Sequence, residues 1–116
     1  MTHDPDAALS PAFVAPADAC DAHFHVIGPA ETYGYAGELR YTPPDAPLDA
    51  YMALAARLGV SRHVFVQPSA YGRDNACMLD AMRQVGTARC RGIVDIDETR
   101  IDPATLRTWH RLGVRG

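Results

Sequence analysis

Apolar residues along the chain fall into two patterns, short β-rich segments and longer stretches with helical spacing. The predicted strands cover residues 19–26, 62–67 and 91–97. Between and after them, apolar positions recur every three or four residues, which predicts helices beginning near Pro47, Asp74 and Asp102. Strands that alternate with helices at this spacing favour parallel strands joined by right-handed crossovers. The sequence therefore predicts an α/β fold with the order β-α-β-α-β-α.

Residues that favour helix ends support this order. Asp102 is a typical N-cap, and Pro103 suits the first helical turn because it has no amide proton to leave unpaired. Gly59, Gly86 and Gly113 each follow the last apolar residue of a predicted helix, where glycine commonly ends helices. We expect the third helix to end at Gly113.

The chain ends with a repeat of an earlier junction. Residues 57–60 and 111–114 both read Arg-Leu-Gly-Val, and the first copy leads directly into the second predicted strand. By this parallel, residues 114–116 should begin a fourth strand. Three parallel strands would leave unpaired edge groups, so we expect the N-terminal fragment of a larger protein. A small three-stranded sheet that is complete in itself is the alternative.

The chain divides into two parts by composition. Residues 1–18 are rich in alanine, proline and aspartate without periodicity, which predicts a flexible N-terminal arm. Residues 19–116 form the predicted folded unit. A glycine-, proline- and tyrosine-rich segment at 27–46 separates the first strand from the first helix, and loops of this length are usually functional or disordered.

Composition excludes several classes of function. The 116 residues carry a net charge of −3, and the eleven basic residues, all arginine, form no cluster, so nucleic-acid binding is not expected. No stretch approaches the roughly 18 apolar residues of a membrane helix, and no signal peptide is recognisable. These features favour a cytoplasmic protein. Three widely spaced cysteines, Cys20, Cys77 and Cys90, argue against a disulfide framework and are expected to be buried free thiols.

The most specific chemical feature is a pair of histidines on the first predicted strand. Side chains alternate across a strand, so His23 and His25 should share one face while Phe24 packs on the other. Two converging imidazoles suit two adjacent metal ligands, or two donors that polarise one carbonyl oxygen. A structural pair is the remaining alternative.

The residues around this pair resemble a known family. Residues 21–29, Asp-Ala-His-Phe-His-Val-Ile-Gly-Pro, resemble the opening strand of the amidohydrolase superfamily, whose members are (β/α)8-barrel hydrolases. Three further segments narrow the resemblance to the 2-pyrone-4,6-dicarboxylate lactonase branch, which opens a cyclic ester. These segments are Arg40–Pro44, Val66–Asn75 and Arg91–Asp95.

The resemblance implies roles for four residues and covers residues 19–116. His23 and His25 match the histidines that help to polarise the lactone carbonyl in that branch and that bind a divalent metal elsewhere in the superfamily. Tyr41 and Ser69 match residues that contact substrate carboxylates. The branch's carboxylate-binding arginines, its later histidine and its water-activating aspartate would lie beyond Gly116. From the residues alone, Tyr41 could instead be a loop aromatic, and Ser69 an ordinary turn residue.

The other polar candidates are expected to be structural. Residues 71–75 should build a turn and cap the second helix, although Tyr71 or Asn75 could line the site, and Asp97 should start a loop. His63 lies at the amino end of the second strand and His110 on a helix.

The sequence therefore predicts the first three β/α units of a TIM barrel, cut at the start of strand 4. The expected activity is hydrolysis of a small, carboxylate-bearing lactone without a cofactor. The alternatives are a zinc- or manganese-dependent amidohydrolase or decarboxylase with His23 and His25 as ligands, and an inactive fragment of such an enzyme. The sequence leaves the oligomeric state open.

Overall fold

The helices and strands follow the predicted order. The structure is a computed structural model that describes residues 11–37, 39 and 42–116. The strands are β1 (Cys20–Phe24), β2 (Arg62–Val66) and β3 (Cys90–Ile93), and the helices are α1 (Leu48–Leu58), α2 (Ala76–Val85) and α3 (Pro103–Leu112). A short 3₁₀ helix over Ser69–Tyr71, the Ser69 helix, follows β2. The strands are parallel in the order β1-β2-β3, which confirms the α/β prediction.

The predicted helix ends are confirmed at α1 and α3. The Asp102 carboxylate accepts a hydrogen bond from the Ala104 amide at 3.0 Å, and Pro103 occupies the first turn of α3. Gly59 and Gly113 adopt left-handed conformations with φ of 77° and 108° after α1 and α3. Side chains rarely adopt this backbone conformation, which explains why glycine stands at both positions.

Strand β3 is shorter than predicted and ends at Ile93 rather than Asp97. The Asp95 amide donates to the Asn75 side chain at 3.1 Å instead of continuing the strand ladder. The Asp97 carboxylate then accepts from the amide and hydroxyl of Thr99 at 3.0 and 2.6 Å, which starts a turn. Side-chain acceptors and donors therefore end the strand.

Strand β1 contains a β-bulge that the sequence did not predict. Asp21 pairs with His63 and Phe24 with Phe65, so two residues of β1 face one residue of β2 between these pairs. The extra residue changes the alternation, and both Asp21 and Phe24 reach Tyr51 of α1. His23 and His25 are exposed on the other side.

The core lies between the sheet and its helices. Phe65 of the central strand is 0% exposed and packs on Phe24 with ring centroids 4.5 Å apart. Helix α2 contributes Cys77, Met78, Leu79, Ala81 and Met82 to this core. A Cβ on Gly92 would lie 2.5 Å from the Met82 sulfur, so the missing side chain lets α2 pack directly on β3. On the opposite face of the sheet, Ile93 is 42% exposed.

The last residues of the chain pair with β3 in the parallel direction. Gly92 donates to the Gly113 carbonyl at 3.1 Å and accepts from the Arg115 amide at 2.9 Å. Val94 donates to the Gly116 carbonyl at 3.0 Å. This pairing is an isolated bridge between Gly92 and Val114, so the start of a fourth strand stays a prediction.

The cysteine prediction is confirmed in part. All three thiols are free, and Cys77 and Cys90 are buried, but Cys20 is exposed. Cys20 begins the edge strand β1, where no neighbouring element among the described residues covers it. Within the described ranges, no helix is long and apolar enough to cross a membrane. The division into an arm and a folded unit stays a prediction.

A buried polar group joins the amino ends of β1 and β2 to α1. The Tyr51 hydroxyl lies 2.9 Å from His63 Nδ1 and 3.2 Å from the Asp21 carboxylate. Burial lowers the pKa of His63, with Asp21 acting in the opposite direction. Burial and the Asp21 carboxylate raise the pKa of Tyr51. Burial therefore favours the neutral form of the His63 ring in the folded protein.

This lowered pKa predicts a loss of stability in mild acid. The unfolded chain binds a proton at His63 near the ordinary histidine pKa of about 6.5, whereas the folded chain binds it only at lower pH. The free energy of unfolding should therefore fall as pH drops below about 6.5. Urea unfolding at several pH values measures this slope. His63→Gln should flatten it, and an equal slope in both proteins would contradict the assignment.

Candidate active site

The two histidines lie together at the carboxyl end of β1. The strand ends at Phe24 rather than at the predicted Val26, so His23 lies in β1 and His25 directly follows it. Their ring centroids are 5.2 Å apart and the rings meet edge to face. His25 Nδ1 lies 2.7 Å from the carbonyl oxygen of Val66, the last residue of β2. This bond fixes the His25 ring against the neighbouring strand, so the pair stands at the edge where parallel strands end. The structure thus brings His23 and His25 together as the sequence predicted.

The hydrogen bond to Val66 sets the chemistry that His25 can perform. A carbonyl oxygen only accepts, so Nδ1 carries a proton and Nε2 is the nitrogen left for a ligand. Nε2 can donate to a substrate oxygen when the ring carries both protons. Nε2 can bind a metal ion only when Nε2 itself carries no proton. The two functions proposed for this pair therefore make opposite demands on one atom.

Ser69 lies on the same edge, just after β2. It is exposed and opens the Ser69 helix, three residues beyond the Val66 carbonyl that His25 contacts. The backbone around it is held by Gln67, whose Nε2 donates to the carbonyls of Gly72 at 3.0 Å and Asp74 at 2.8 Å. The Gln67 Oε1 atom is buried without a hydrogen-bond partner. Sequence reasoning missed this role, although a polar residue closing an apolar strand was a usable signal.

Tyr41 lies outside the described residues. The segment that contains it has its two ends joined, because Ile27 and Ala46 exchange hydrogen bonds of 2.9 and 2.8 Å in an antiparallel bridge. The role of Tyr41 stays a prediction.

The loop after β3 adds charge to this edge of the sheet. Arg73 lies 3.7 Å from the Asp95 carboxylate and 3.9 Å from that of Asp97. Hydrogen bonds from Thr99 lower the pKa of Asp97, with a further contribution from Arg73. Asn75 is buried and bonds to the main chain of Asp95 through both side-chain atoms. Asn75 therefore joins the loops after β2 and β3.

The remaining histidines lie elsewhere. His63 is buried at the amino end of β2, and His110 is exposed on α3, where its carbonyl accepts from Arg115 at 2.7 Å. Within the described ranges, no group of three or more histidine, cysteine, aspartate or glutamate side chains could hold a metal ion. His23 and His25 could supply two nitrogen ligands to a metal ion, and further ligands would be needed to complete its coordination.

Comparison with protein-family models shows which family the chain belongs to. The family model described as Amidohydrolase matches residues 20–116. The chain belongs to the amidohydrolase family. The resemblance seen in residues 21–29, in Arg40–Pro44, in Val66–Asn75 and in Arg91–Asp95 is thereby confirmed.

Two curated members of the amidohydrolase family are similar to this chain. A 2-pyrone-4,6-dicarboxylate hydrolase of Comamonas testosteroni is 42% identical over 91% of this chain and 34% of its own length. A 4-sulfomuconolactone hydrolase of Rhizobium radiobacter is 43% identical over 90% of this chain and 34% of its own length. The chain spans about a third of the length of these relatives.

A solved amidohydrolase structure has a similar fold. It is named as a probable 2-pyrone-4,6-dicarboxylic acid hydrolase from Acinetobacter baumannii, with citric acid bound. It matches with a TM-score of 0.76 and 26% identity, and the match covers 85% of this chain and 36% of that chain. The three parallel strands and their helices thus correspond to one part of a larger fold.

Proposed function

We propose that these residues form the first three β/α units of a (β/α)8-barrel hydrolase that opens a lactone carrying anionic groups. The main support for this proposal is the His23–His25 pair at the carboxyl end of β1, in which His25 Nδ1 lies 2.7 Å from the Val66 carbonyl oxygen. In such barrels, catalytic groups stand at the carboxyl ends of the strands. This pair and Ser69 both lie at that edge.

The proposed reaction is the addition of water to the lactone carbonyl. The water oxygen bonds to the carbonyl carbon and loses one proton, the ring C–O bond breaks, and the leaving oxygen takes up one proton. Negative charge develops on the carbonyl oxygen during this addition, and preorganised donors stabilise it. We assign that role to His23 and to His25, whose Nε2 donates when the ring carries both protons and Nδ1 stays bonded to Val66. The assignment needs no divalent metal.

The relatives' names support the substrate class. One relative is named for 2-pyrone-4,6-dicarboxylate and the other for 4-sulfomuconolactone, and their identities to this chain are 42% and 43%. Both compounds are unsaturated lactones that carry carboxylate or sulfonate groups. The Acinetobacter structure holds citric acid, a tricarboxylic acid, which supports a site for carboxylates. A dicarboxylate lactone is the proposed substrate, and the whole enzyme is proposed to be cytoplasmic.

Metal analysis of the whole enzyme tests this mechanism against its alternative. We expect lactone hydrolysis to persist after dialysis against a chelator, with metal content well below one ion per chain. Hydrolysis that stops on chelation and returns with zinc or manganese would instead assign His23 and His25 as ligands. Failure of the whole enzyme to open either lactone would contradict the proposed function itself.

Ser69 and Tyr41 are proposed to donate hydrogen bonds to a substrate carboxylate. Ser69→Ala and Tyr41→Phe should each lower kcat/KM by an amount equivalent to about 1–3 kcal/mol, because a charged partner loses one donor. Steady-state kinetics with the dicarboxylate lactone measures this loss. Ser61→Ala is the matched control, since the Ser61 hydroxyl is buried without a partner at the amino end of β2. A covalent intermediate trapped on Ser69 would overturn the assignment.

A further inference from the structure

Tyr71 connects the Ser69 helix to the residues that follow His25 and to the rest of the segment between β1 and α1. It is the last residue of the Ser69 helix and is only 2% exposed. Its hydroxyl accepts a hydrogen bond from the Gly28 amide at 2.8 Å. Gly28 lies three residues beyond His25, so this bond ties the Ser69 helix to the segment that follows β1 and contains His25.

The Tyr71 ring also anchors the segment between β1 and α1. Tyr35 stacks on it, with ring centroids 5.7 Å apart and planes inclined by 21°. Next to this stack, the Ala36 amide donates to the Ala70 carbonyl at 2.8 Å. The Tyr33 ring meets the same ring edge to face, with centroids 6.4 Å apart. Among the described residues, the Ser69 helix is therefore held to this segment by two ring contacts and one main-chain hydrogen bond.

We propose that Tyr71 is a positioning residue, which fixes Ser69 relative to His25 and thereby sets the affinity for the substrate carboxylate. This inference rests on the proposed function. Tyr71 does not itself reach the substrate, because its hydroxyl is buried against Gly28 and its ring against Tyr35. Its effect should appear in substrate binding, through Ser69.

Tyr71→Phe in the whole enzyme removes only the hydroxyl. We expect KM for the dicarboxylate lactone to rise about fivefold, the effect of one lost hydrogen bond, with kcat changed less than about twofold. Tyr33→Phe is the matched control. It removes the Tyr33–Asp80 hydrogen bond of 2.6 Å, which ties the same segment to α2. It keeps the Tyr33 ring and therefore its edge-to-face contact with Tyr71. Its KM should stay within about twofold of the unmodified enzyme.

A double-mutant cycle separates positioning from a general loss of stability. In a Ser69→Ala background, Tyr71→Phe should change KM by less than about twofold, because the group that it positions is already gone. An equal rise in KM in both backgrounds would show a merely structural role and overturn the proposal. So would an unchanged KM in Tyr71→Phe.

A second variant covers the case in which Tyr71→Phe does not fold. Tyr35→Leu removes the stacked ring from a half-buried position and leaves the Tyr71 hydroxyl bonded. Tyr35→Leu should raise KM when Ser69 is present and change it by less than about twofold in a Ser69→Ala background. An unchanged KM in Tyr35→Leu overturns the proposal. If the unmodified enzyme opens no anionic lactone, the proposed function fails and this inference fails with it. If the enzyme does so and Ser69→Ala raises KM, the Tyr71 result decides the inference alone.

Discussion

Replacing His25 with alanine in the whole enzyme is expected to lower kcat for lactone hydrolysis by about two to three orders of magnitude. This is the usual cost of removing one preorganised donor to a developing oxyanion. The structure supports such preorganisation, because the bond from Nδ1 to the Val66 carbonyl fixes the ring before substrate arrives. His23→Ala should have an effect of the same size, since its ring stands 5.2 Å away on the same edge.

Steady-state kinetics with a matched control checks this prediction. His110→Ala should retain the activity of the unmodified enzyme, because His110 is exposed on α3 and bonds to Arg115. Turnover that is unchanged in His23→Ala or His25→Ala would remove the pair from the mechanism. Loss of activity in His110→Ala as well would point to unfolding rather than to chemistry.

Replacing Phe65 with alanine is expected to lower the free energy of unfolding by about 3–5 kcal/mol, the usual cost of removing a buried aromatic side chain. Phe65 is 0% exposed at the centre of the three-stranded sheet and packs on Phe24 at 4.5 Å. Its neighbours belong to a sheet and a helix that cannot easily close the cavity.

Urea unfolding of the whole protein measures this loss. Phe13→Ala is the control of the same residue type, because Phe13 is 76% exposed in the segment before β1. It should change the free energy of unfolding by less than about 0.5 kcal/mol. Similar losses in the two variants would contradict the core described here.

Local sequence signals determined the elements and the histidine pair. The order of strands and helices, the Asp102 cap and the glycines at 59 and 113 could all be predicted from neighbouring residues. This is possible because helix caps and left-handed ends depend on the backbone and on side chains only a few positions away. The close placement of His23 and His25 likewise depends on neighbouring residues, since the two are only two positions apart at the end of β1.

Only the tertiary structure decided how the strands and helices orient the side chains of the candidate site. The bulge that turns Asp21 towards Tyr51 depends on the register between β1 and β2, whose partners lie about forty residues apart in the chain. The contacts of His25 with Val66 and of Tyr71 with Gly28 span 41 and 43 residues. No local pattern encodes such contacts, because they form only when the strands have paired and α2 has packed on them. The sequence by itself therefore determined which polar groups stand at the end of β1 and after β2, and the packing of the sheet decided how they are oriented.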